Sequence, residues 1–92
     1  MILSFKHKGL EIFYLTGNTA GIIVAHQAKL KRILARLDSA KTAQDMNIPG
    51  WNLHSLTGDL KNHWSVKVNA NWRITFKLTN GYAEVINYQD YH

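Results

Sequence analysis

Five histidines, a strand arginine and the ending Asp90-Tyr91-His92 hold most of the chemistry this chain can offer. Histidine exchanges a proton near neutrality, because its ordinary pKa is about 6.5. Arginine presents a planar fork that can grip two phosphate oxygens at once. Arg73 sits in a stretch of alternating apolar and polar residues that also holds Lys67, and His54 precedes that stretch. His7, His26 and His63 show no metal-ligand spacing, and there is neither an H-E-x-x-H motif nor a glycine-rich phosphate loop. No metal and no nucleotide cofactor are therefore expected. The chain has no cysteine, which excludes a disulfide scaffold, a thiolate nucleophile and a cysteine-rich zinc site.

The charge balance points the same chemistry at an anion. Net charge is +5 over 92 residues, which in so short a chain suggests a nucleic-acid partner. Apolar residues make up 46% and charged ones 18%, the composition of one folded domain spanning 1–92. The opening MILSFKHKGL has too short an apolar part for a signal peptide. No apolar run is long enough to cross a bilayer, so a soluble, unexported protein is expected.

These residues need elements to position them. Ile2–Phe5 reads as a short strand, and Leu10, Phe13 and Tyr14 give Lys6–Leu15 a helical spacing. Gly21–Ser39 is the clearest helix, with Ile23, Leu30, Ile33, Leu34 and Leu37 on one side and Lys29, Arg32 and Arg36 on another. Thr42–Met46 adds a short turn before Pro49-Gly50 closes the helical half. From there the period falls to two. Trp51–His54, His63–Val68, Trp72–Leu78 and Tyr82–Tyr88 read as strands, Leu56–Asp59 as a turn and Asn80-Gly81 as a tight hairpin. Helices first and strands after predict an α+β fold: an antiparallel sheet with the helices on one face and solvent on the other.

Hairpin register then brings the polar residues together. A three-residue loop Asn69-Ala70-Asn71 sets Val68 against Trp72, Val66 against Ile74 and Trp64 against Phe76 on the core side, with Lys67 facing Arg73 on the open side. The Asn80-Gly81 turn sets Leu78 against Ala83 and Phe76 against Val85 in the core. On the open face it sets Lys77 against Glu84, as an ion pair, and Arg73 against Tyr88. Asp90 and His92 follow Tyr88 by parity, with Tyr91 opposite. Like charges directly opposed on a sheet are unfavourable. Stability gives no reason to pair Lys67 with Arg73, so either both side chains splay into water at little cost or an anion bridges them.

The segment Trp64-Ser65-Val66-Lys67-Val68-Asn69-Ala70-Asn71-Trp72-Arg73-Ile74-Thr75-Phe76 resembles the W-S-x-x-V-x-x-N-W/Y-R-I-x-F core of HigB-type toxins in the RelE/ParE superfamily. The ending Asn87-Tyr88-Gln89-Asp90-Tyr91-His92 resembles their N-Y-x-D-Y-H terminus. Met1–Leu10 and Leu53–Asp59 match as well, so the likeness spans the chain. It implies a RelE-like fold with two N-terminal helices packed on one face of a small antiparallel sheet. It also implies an mRNA interferase that cuts message in the ribosomal A site beside ribosomal RNA, in the bacterial cytoplasm. A HigA-type helix-turn-helix antitoxin would neutralise it, and operator DNA would be met only through that antitoxin.

Metal-free RNA cleavage needs a base for the 2′-OH, a cation for the phosphorane and an acid for the leaving 5′-oxygen. The resemblance gives Arg73 the cation's role and His92 a proton-transfer role, although a last residue taken alone is a frayed end. Asp90 either orients His92 or serves as the base. Tyr91 stacks on a base, moves a proton or packs. His54 reads as a second proton-transfer or phosphate group or as an ordinary surface histidine, and Lys61, Lys67 and Tyr88 as phosphate contacts. The stripe Lys29, Arg32, Arg36 reads as a solvated face or a contact for ribosomal RNA. Members of this family often carry a basic residue where this chain has Thr57, and another near Asn69. That departure leaves open a weak or inactive relative acting by binding. A ParE-like topoisomerase inhibitor is the other alternative, and the D-Y-H ending speaks against it.

Overall fold

A computed structural model of the protein describes residues 1–90; Tyr91 and His92 lie outside the described residues. The first helix, α1, spans Lys8–Thr16 and buries Leu10 and Phe13. His7 caps it, its Nδ1 accepting the Leu10 N–H at 2.9 Å. Gly9 of α1 lies against Gly21, where a Cβ on either glycine would come within 2.8 Å of the other's backbone. That close approach draws the chain between the helices onto α1.

The second helix, α2, spans Gln27–Ser39 and buries Leu30, Ile33, Leu34 and Leu37, the stripe read from the sequence. It starts later than predicted. Ile23 is in extended backbone, Val24–His26 form a single 3₁₀ turn, and Ile23 is 39% exposed rather than in the core. Helical spacing from Ile23 to Leu30 has no meaning across that break. Ala43–Met46 form a 3₁₀ turn closed by a reciprocal Thr42–Asp45 cap.

Four antiparallel strands follow, in spatial order β1–β2–β3–β4: β1 His54–Ser55, β2 Trp64–Asn69, β3 Trp72–Thr79 and β4 Tyr82–Asp90. β1 is shorter than predicted because Asn52 takes a left-handed φ of 51°, which breaks extension after Trp51. Trp51 is buried, and its carbonyl accepts the Lys67 N–H at 2.6 Å. The Gly58–Leu60 turn leads into β2. The predicted first strand lies along β4 through two isolated parallel bridges, Ile2–Ala83 and Phe5–Ile86. Val66, Ile74, Phe76, Ala83 and Ile86 join Leu10, Leu30, Ile33, Leu37 and Met46 in one core between sheet and helices. Among the described residues no helix is long and apolar enough to cross a membrane.

Two bulges revise the predicted register. At the first hairpin Lys67–Arg73, Val66–Ile74 and Trp64–Phe76 pair as expected, but Asn69, not Val68, faces Trp72. The link is thus the two residues Ala70-Asn71, with Ala70 at φ 50°. The second bulge matters more. Leu78–Ala83 and Lys77–Glu84 pair as expected, after which β4 gains one residue and Thr75 faces Asn87. Val85 is the strained residue, at φ 47°. Strict alternation would have put Val85 and Asn87 in the core and turned Ile86 and Tyr88 out. The bulge buries Ile86 and Tyr88 instead, exchanging a valine and a polar asparagine for two larger, more apolar side chains. Ser4 holds the bulged backbone, its Oγ accepting the Val85 N–H at 2.9 Å and its carbonyl the Ile86 N–H at 3.2 Å.

Candidate active site

Adjacent strands lie about 4.8 Å apart, so register defines rows of side chains. On the face away from the helices, His54, Ser65 and Thr75 form one row across β1, β2 and β3. Lys67, Arg73 and Gln89 form the next row across β2, β3 and β4. Arg73 is half-buried at the centre of this face, with its Nη1 out of water. A guanidinium in that position meets an anion at lower dielectric than a fully solvated one would. Behind it, Ser65 and Thr75 are buried, and the Ser65 hydroxyl has no partner among the described residues. The Gln89 Nε2 reaches the Thr75 Oγ1 at 3.4 Å.

His54 is exposed at the margin of the same face. Its Nδ1 is 3.0 Å from the Asn52 carbonyl oxygen. A carbonyl can only accept, so Nδ1 carries the proton and Nε2 keeps a lone pair in the neutral ring. That is the tautomer a general base needs.

The structure moves two predicted residues off this face. Tyr88 does not face Arg73; the bulge pairs it with Ile74, leaves it 4% exposed on the helix side, and puts Gln89 beside Arg73. Asp90 pairs with Trp72, so alternation puts it on the Trp72–Tyr88 side rather than with Arg73. Tyr91 and His92, predicted for proton transfer and stacking, lie outside the described residues. Lys61 is exposed after the Gly58–Leu60 turn and lines a cleft of about 600 Å³ with His63, Trp64, Lys77 and Glu84, away from the Arg73 row. Lys77 and Glu84 pair in register without forming the expected ion pair. A salt bridge among the described residues joins Lys8 to Glu11 instead, at 3.6 Å.

The basic stripe of α2 divides. Arg36 is engaged in structure, its Nε donating to the Asp45 carbonyl at 2.8 Å. Lys29 has its pKa pushed down, by burial first and then by the positive charges of Arg32 and Lys67. Lys29 is thus near enough to Arg32 and Lys67 to feel both charges. No cluster of three metal-ligating side chains occurs among the described residues.

Sequence reasoning missed His26, which is buried with its Nδ1 2.6 Å from the Tyr88 hydroxyl. It also missed Gln89 as Arg73's neighbour. The signal for both was the apolar Ile86 beside polar Asn87, which a regular strand would have placed on the wrong faces.

The family model for the RelE-like toxin of type II toxin-antitoxin system HigB matches residues 3–92. The chain is 42% identical over 92 residues to a protein of Proteus vulgaris named Endoribonuclease HigB, covering all of both chains. It is 36% identical over 85 residues to Toxin HigB-1 of Vibrio cholerae serotype O1, covering 90% of each.

Proposed function

The chain belongs to the HigB-like family of RelE-like toxins of type II toxin–antitoxin systems, and from that premise we propose that it is an endoribonuclease cutting translated message on the ribosome by metal-free acid-base catalysis. The observation that carries this reading is Arg73, half-buried between Lys67 and Gln89 on an open sheet face whose margin holds a histidine with a free Nε2. The 2′-oxygen attacks the adjacent phosphorus as a base removes its proton, and the P–O5′ bond breaks as an acid protonates the leaving oxygen. A 2′,3′-cyclic phosphate and a 5′-hydroxyl result. Arg73 stabilises the phosphorane, with Lys67 adding charge. His54, Tyr91 and His92 supply proton transfer, Asp90, on the other side from Arg73, keeps the orienting role rather than that of the base, and Lys61 makes a phosphate contact further along the strand.

A site on an open face holds RNA from one side only. The ribosomal A site and its RNA would supply the other side, so cleavage would depend on the ribosome. The antitoxin partner is proposed to be of the HigA helix-turn-helix type, meeting operator DNA in the toxin's stead, and the setting a bacterial cytoplasm.

A cell-free translation reaction followed by primer extension tests this. The wild type leaves codon-periodic message ends. Arg73→Ala lowers cleavage by about 10²-fold or more, the usual loss when a transition-state donor is removed, while its circular dichroism stays that of the wild type. Full cleavage by Arg73→Ala, or by a chain lacking His92, overturns the site assignment. A weaker enzyme is the second reading, favoured by the uncharged Thr57, which lines a cleft of about 410 Å³ with His54 where the family resemblance leads one to expect a cation.

A further inference from the structure

We propose that Tyr88 and His26 form a positioning pair that fixes the end of β4 against β3, and through it the RNA-cleaving face; this rests on the ribonuclease reading above. The two side chains come from positions 62 residues apart, and each is 4% exposed. A phenol hydroxyl can give its proton to an imidazole nitrogen or receive one from it, so the two groups satisfy each other at 2.6 Å in either tautomer.

The surrounding rings tie this bond to the site. Trp72 stacks on Tyr88 at 4.6 Å with the planes 30° apart, and His26 meets Trp72 edge-on at 5.9 Å. His7, the cap of α1, meets Tyr88 edge-on at 5.4 Å. Four parts of the chain therefore converge on one phenol: the α1 cap, the turn before α2, β3 and β4. Trp72 is the immediate neighbour of Arg73 and the register partner of Asp90, and Tyr88 lies two residues before Asp90.

Stability alone does not require a polar pair here. Apolar side chains could fill the same space, but their contacts permit sliding, whereas a short buried hydrogen bond fixes direction and distance. The strained bulge at Val85 is what brings Tyr88 to His26, so backbone strain is committed to this arrangement. Catalysis is the property that depends on sub-ångström placement, since a shift of about 1 Å can cost a factor of ~10².

The test compares Tyr88→Phe, His26→Ala, His26→Asn and the double variant Tyr88→Phe/His26→Ala with the wild type, at a temperature where circular dichroism shows each folded. Single-turnover cleavage of ribosome-bound message gives a rate constant and a half-saturating ribosome concentration, and hydrogen exchange follows the amides of Gln89 and Asp90. Tyr88→Phe and His26→Ala should each lower the rate constant by about tenfold, leave half-saturation within about twofold, and speed exchange at Gln89 and Asp90. The double variant should be no worse than either single variant. His26→Asn keeps an acceptor for the hydroxyl and should recover most of the rate. Wild-type rates in Tyr88→Phe and His26→Ala, or losses that simply add in the double variant, overturn the pairing. A wild type that leaves message intact overturns the ribonuclease reading and this proposal with it.

Discussion

His7 shows how much one side chain can hold. Its imidazole caps α1 only while Nδ1 is unprotonated, because it accepts the Leu10 N–H. Burial pushes its pKa below the ordinary 6.5, more than its own backbone hydrogen bond raises it. The unfolded chain thus binds that proton more readily than the folded one. The stabilising contribution is complete above about pH 6.5 and is lost as pH falls from there through the lowered pKa. His7→Asn keeps a capping oxygen that does not titrate, so its urea midpoint should vary less between pH 7 and pH 5 than that of the wild type. His7→Ala should cost about 1 kcal/mol at pH 7. Equal pH slopes for wild type and His7→Asn would show that the cap does not titrate as argued. The same scale holds the prediction for Thr57 and Asn69. Both are exposed, Thr57 in the cleft beside His54. Thr57→Lys with Asn69→Arg should raise cleavage of translated message several-fold if a thin basic cradle limits this enzyme, and the primer-extension assay reads it directly.

β4 is the element on which the site turns. Val85 is β-branched and sits at φ 47°, a backbone region that costs such residues about 1–2 kcal/mol. Val85→Gly should therefore be tolerated despite the loss of a half-buried side chain, with unfolding free energy within about 1 kcal/mol of the wild type. Deleting Val85 removes the extra residue and leaves Ile86 opposite Phe76, Asn87 outward and Tyr88 inward, so both side chains should stay buried in an unbulged strand. Its cost should be limited to the bulge's own contacts, about 1 kcal/mol for the hydrogen bond that Ser4 makes to Val85. Chemical denaturation of the two variants checks this. A deletion that costs several kcal/mol more than the glycine variant would mean that the bulge itself, and not only the faces beyond it, holds β4 in place.

At the scale of the whole molecule, the protein is nearly isotropic, with extents of 29 × 28 × 26 Å. A +5 charge on so small a body makes its field matter at any anionic surface. Lys29 feels the positive charges of Arg32 and Lys67, while Arg36 is held by Asp45. Binding of a single-stranded RNA with a 2′-deoxy scissile position should weaken as salt rises. Replacing Lys29 and Arg32 by alanine should reduce the slope of log affinity against log salt by about 1.4, or about 0.7 for each phosphate that is no longer neutralised. Fluorescence anisotropy across a salt series measures it, and an unchanged slope would assign both side chains to solvent.

Local rules were enough for much of this. The core stripe Leu30–Ile33–Leu34–Leu37, the Asn80-Gly81 turn, the α+β class and the facing of Lys67 by Arg73 all follow from periodicity and turn chemistry, which act over a few residues. The resemblance of the Trp64–Phe76 and Asn87–His92 segments named the family that the comparisons established. Tertiary structure alone decided the rest. Which of Ile86 and Asn87 faces the core depends on the helices packed against the sheet and on Ser4 holding the bulge from 81 positions away in sequence. That choice moved Tyr88 from beside Arg73 to beside His26 and brought Gln89 into its place. Alternation assumes an unbroken strand. A single inserted residue reverses every face beyond it, and its energetic justification lies in a core that no local window of the sequence contains.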